Sequence, residues 1–113
     1  MAHMKEFDDH TVASHWSLLQ KFWKDVETET KSARAKFTAP GCHLERDIND
    51  RAFWLNVIME EVGKLSRTIN KLSLNPADER IKEQWEREGY HRILTCVSLL
   101  RRLAENWHKL PNK

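Results

Sequence analysis

Residues 54–72 read WLNVIMEEVGKLSRTINKL, and their spacing decides the fold class. Apolar side chains recur at Trp54/Leu55, Ile58, Val62, Leu65, Ile69 and Leu72, steps of three and four that line one face of an α-helix rather than the alternation of a half-buried strand. The same rhythm continues on both sides. Upstream, Val12, Trp16, Leu19, Trp23 and Val26 form a stripe that thins into the polar run Glu27–Arg34 and closes at Phe37. Downstream, Asn75-Pro76-Ala77-Asp78-Glu79 reads as a helix start, with Asn75 as N-cap, Pro76 at the first helical position and acids in the first turn. The stripe that follows runs through Ile81, Trp85, Ile93, Val97 or Cys96, Leu100, Ala104 and Trp107 to Pro111. The spacing therefore predicts helices over residues 9–37, 47–73 and 76–110. The second is capped by Asp47 or Asn49, and the one clear loop lies around Pro40-Gly41. The fold class is all-α, a bundle of long helices.

Composition agrees. Only three glycines and three prolines occur in 113 residues, too few for the frequent turns of a sandwich or barrel. With 40% hydrophobic and 32% charged residues the chain has the composition of one soluble domain, expected to be cytoplasmic. The net charge of +2 arises from interspersed signs, so no nucleic-acid footprint stands out. The apolar run 93–100 is interrupted by Thr95 and Ser98, which argues against a membrane span. Cys42 and Cys96 lie far apart without a paired-cysteine motif, the pattern of reduced intracellular thiols. Met1-Ala2-His3-Met4 looks like a cloning remnant ahead of a native start at Met4.

Three helices of this length are rods of roughly 40 Å that cover only part of one another's apolar faces. Homodimerisation is expected, the helix pairs 47–73 and 76–110 of two copies forming a four-helix core with the first helices outside. Five tryptophans, Trp16, Trp23, Trp54, Trp85 and Trp107, all fall on or beside apolar stripes.

Placing residues at 100° intervals sets Glu61 and Lys64 on one border of the second helix, and Glu88 and Arg92 on a border of the third, with His91 opposite. The plain reading is a set of flanking i,i+3 and i,i+4 ion pairs worth a few tenths of a kcal/mol each. Gly63 and Gly89 lie beside these residues. A mid-helix glycine costs about 1 kcal/mol relative to alanine, which raises the question of a close approach or, at Gly89, a helix break.

Glu60-Glu61-Val62-Gly63-Lys64 resembles the EEVGE helix motif of the MazG-like family of all-α nucleoside triphosphate pyrophosphohydrolases. Arg87-Glu88-Gly89-Tyr90-His91-Arg92-Ile93-Leu94 is similar to its later REELVQVA-type segment, and the polar first helix with a following histidine, His43, fits many small members. The likeness spans residues 22 to 107. It implies a dimeric four-helix core and a Mg²⁺ site of four carboxylates, from an ExxE and an ExxD pair, that grips a triphosphate and activates water. Here Glu61 keeps the first position, Lys64 replaces the second, and Gly89 and Arg92 stand at the ExxD positions. Glu61 and Glu88 are then the metal candidates. Lys64 and Arg92 are candidate phosphate ligands in the metal's place, and Trp54 and Trp85 candidate walls of the same nucleotide cleft.

Other groups carry less. His10 and His15 sit on different faces, Cys42-His43 has the character of a loop, and Cys96 that of a small buried hydrophobe. Arg101-Arg102 with Trp107 and Lys109 reads as solvated helix face before basic patch. Two functions follow: a MazG-like nucleotide or phosphate binder with or without Mg²⁺-dependent hydrolysis, and a non-catalytic homo-oligomeric interaction module anchored by Trp16 and Trp23.

Overall fold

The computed structural model describes residues 9–36, 44–45 and 49–111. The expected Pro40-Gly41 loop, Cys42, His43, Asp47, Phe37 and the first four residues lie outside them. Among the described residues the chain is all helical: α1 (Asp9–Lys36), α2 (Arg51–Ser73) and α3 (Glu79–Asn106), followed by a single 3₁₀ turn at Trp107–Lys109. None of these helices is long and apolar enough to cross a membrane.

The starts of α2 and α3 differ from the expected ones, for reasons visible in the backbone. α2 is capped by Asp50, whose carboxylate accepts a hydrogen bond from Phe53 N–H at 2.9 Å. Asn49 is engaged elsewhere, donating from Nδ2 to the Leu44 carbonyl. Asn75 does not cap α3. It has φ 51°, the left-handed conformation of a helix C-terminus, and its N–H closes onto the Leu72 carbonyl at 2.9 Å, so it terminates α2. Pro76 follows in the connection, and Asp78 caps α3 through Arg80 N–H. The α-helical part of α3 ends at Asn106, before the 3₁₀ turn, rather than at residue 110.

α3 is the central element and packs against both other helices. α2 runs antiparallel to it, since Lys71 meets Trp85 at one end and Arg51 meets the Trp107 carbonyl at the other. α1 runs parallel to α3: Asp25 bonds Tyr90, Thr30 bonds Ser98 at 2.9 Å, and Arg34 bonds Glu105. Helix α3 is unbroken at Gly89. A Cβ there would sit 3.6 Å from the Thr68 methyl, so the glycine lies where α2 comes close. A Cβ at Gly63 would meet only the Arg67 guanidinium, at 3.9 Å.

The buried apolar core among the described residues is small: Val26, Trp54, Ile58, Leu94, Cys96 and Leu99. Of the five tryptophans only Trp54 belongs to it, while Trp16, Trp23 and Trp107 are about half exposed. Thr30, Thr68, Ser98 and Arg102 are buried with it. The Thr30 and Thr68 hydroxyls donate to carbonyls one turn back, as buried hydroxyls must find a partner.

Candidate functional site

The α2–α3 seam brings Glu61, Lys64, Glu88 and Arg92 together, as their borders on the two helices predict. Glu61 Oε1 accepts from Lys64 Nζ at 2.9 Å. Its other oxygen, Oε2, stands 3.8 Å from Arg92 Nη1 across the seam. Arg92 Nη2 reaches Glu88 Oε1 at 3.4 Å one turn earlier on α3. The cluster thus alternates in sign, with two carboxylates and two cations. Glu61 is its most covered member, with 17% of its side chain exposed against 29–35% for the other three.

Its surroundings are apolar and polar in turn. Cys96 is buried near this cluster. Burial raises its thiol above the ordinary value, and the Glu61 charge adds to that rise against the opposing effect of Arg92. A thiol held protonated is a small hydrophobe rather than a nucleophile. Arg92 Nε is buried without a hydrogen-bond partner, as is Trp54 Nε1. Trp54 is 0% exposed and offers no open ring face within the chain. Trp85 is partly exposed at the end of the seam, with Lys71 Nζ 5.7 Å from its ring centroid. His91 faces α1 instead, with Nδ1 3.9 Å from Glu29. Glu60 is exposed.

The donor set has direct chemical consequences. Mg²⁺ demands several hard oxygen ligands and concentrated negative charge. Both carboxylates of the seam already face cations that a dication would have to displace. No group of three or more His, Cys, Asp or Glu side chains able to hold a metal is found among the described residues. Of the four carboxylates that the resemblance implies, the seam carries two, Glu61 and Glu88, each beside a cation.

A second polar network was not legible in the sequence. Arg102 is 3% exposed and donates from Nε and Nη2 to Glu45 Oε1. Arg34 donates from Nε to Glu45 Oε2 at 3.1 Å and from Nη2 to Glu105. Arg101 is held by Glu27 on α1. Arg101-Arg102 is therefore not a free basic patch, because each guanidinium is bound to a carboxylate from elsewhere in the chain, and only Arg101, 34% exposed, keeps the solvated position expected of the pair. Trp107 stacks under Arg51, whose Cζ lies 4.5 Å from its ring centroid.

No family model, no curated protein and no solved structure matches the chain.

Proposed function

We propose that the protein is a non-catalytic, self-associating helical module on the plan of the MazG-like nucleotide pyrophosphohydrolases, with an ion-paired seam where that family holds Mg²⁺. The observation that carries this reading is Glu61 flanked by Lys64 at 2.9 Å and Arg92 at 3.8 Å. Two cations beside the principal candidate metal ligand satisfy its charge internally, and a dication there would have to displace both before it could grip phosphates or lower the pKa of water. Lys64 and Arg92 belong to the helix seam first and keep α2 and α3 in register.

The small buried core supports self-association, because α2 and α3 leave much of their apolar stripes uncovered within one chain. A four-helix core built from two such helix pairs would cover them.

The test is incubation of the purified protein with ordinary and modified nucleoside triphosphates plus Mg²⁺ or Mn²⁺, following pyrophosphate release. The module reading expects none above a no-protein blank. Metal-dependent release that disappears in Glu61→Gln would overturn it in favour of a hydrolase.

One observation favours a second reading, that of a metal-free phosphate or nucleotide binder. Arg92 Nε is an unpartnered donor, and both cations of the seam remain about one-third exposed. That reading expects a nucleotide-induced rise in melting temperature without metal, lost in Lys64→Ala and Arg92→Ala.

A further inference from the structure

We draw no further inference here: the strongest candidate, the exposed apolar stripe of Trp16, Leu19 and Trp23 on the N-terminal part of α1, is an uncovered helix face, and nothing in the structure shows what covers it.

Discussion

At the scale of single residues, the seam and the core make different demands. Trp54 is fully buried at the α2–α3 contact, so Trp54→Ala should cost about 3–5 kcal/mol in chemical denaturation, the range for a large aromatic lost from a packed site. Glu61→Gln acts through charge. It leaves Lys64 and Arg92 facing a neutral amide, and because the cluster is partly solvated the cost should be about 1 kcal/mol rather than the larger penalty of a fully buried pair. The convergence of Glu61 and Arg92 was legible in the sequence, because helical periodicity fixes which border of each rod a residue occupies. The burial of Arg102 was not. Its partner Glu45 is 57 positions away, and no local pattern distinguishes an arginine that reaches such a carboxylate from one in solvent.

At the scale of elements, periodicity located all three helices, with α1 beginning at Asp9 and α2 ending at Ser73 as expected, but not the starts of α2 and α3 or the end of α3. Asn75-Pro76 serves equally as the start of one helix or the close of another, and only the backbone conformation, with Asn75 at φ 51°, decides for the close of α2. The two helix-interior glycines can be told apart by substitution. Gly63→Ala meets no obstacle and should stabilise the chain by up to about 1 kcal/mol through helix propensity. Gly89→Leu should destabilise it by pressing on Thr68. α1 is attached to α3 largely through polar pairs. Asp25 is held below its ordinary pKa by hydrogen bonds from Lys21 and Tyr90, and Glu27 below its own by Arg101. Carboxylates with depressed folded values contribute stability above their unfolded pKa and lose it as pH falls through the folded value. Tyr90 is raised by its bond to Asp25, so its contribution is present below its ordinary value near 10 and lost as pH rises past it. Hydrogen exchange should show α1 opening ahead of α2 and α3 both at strongly acid and at strongly alkaline pH. Uniform opening of all three helices would contradict this.

At the scale of the whole molecule, few of the apolar side chains that mark the chain as helical are covered within it. The sequence showed stripes wide enough for a bundle, and the structure shows α3 covered on two sides and open on a third. Tryptophan placement is where the two diverge most. All five lie on or beside stripes, yet only Trp54 is enclosed, because a stripe states which face is apolar and not whether a neighbour of the same chain reaches it. If a second copy completes the core, the melting temperature must rise with protein concentration. What occupies the seam is measured most directly by the melting temperature with and without millimolar Mg²⁺, for wild type and for Lys64→Glu/Arg92→Asp. The double variant sets four carboxylates at positions 61, 64, 88 and 92. Wild type should be unmoved by Mg²⁺, while the double variant, destabilised without metal, should gain several degrees when it is added. A wild-type protein stabilised by Mg²⁺ to the same extent would contradict an ion-paired seam.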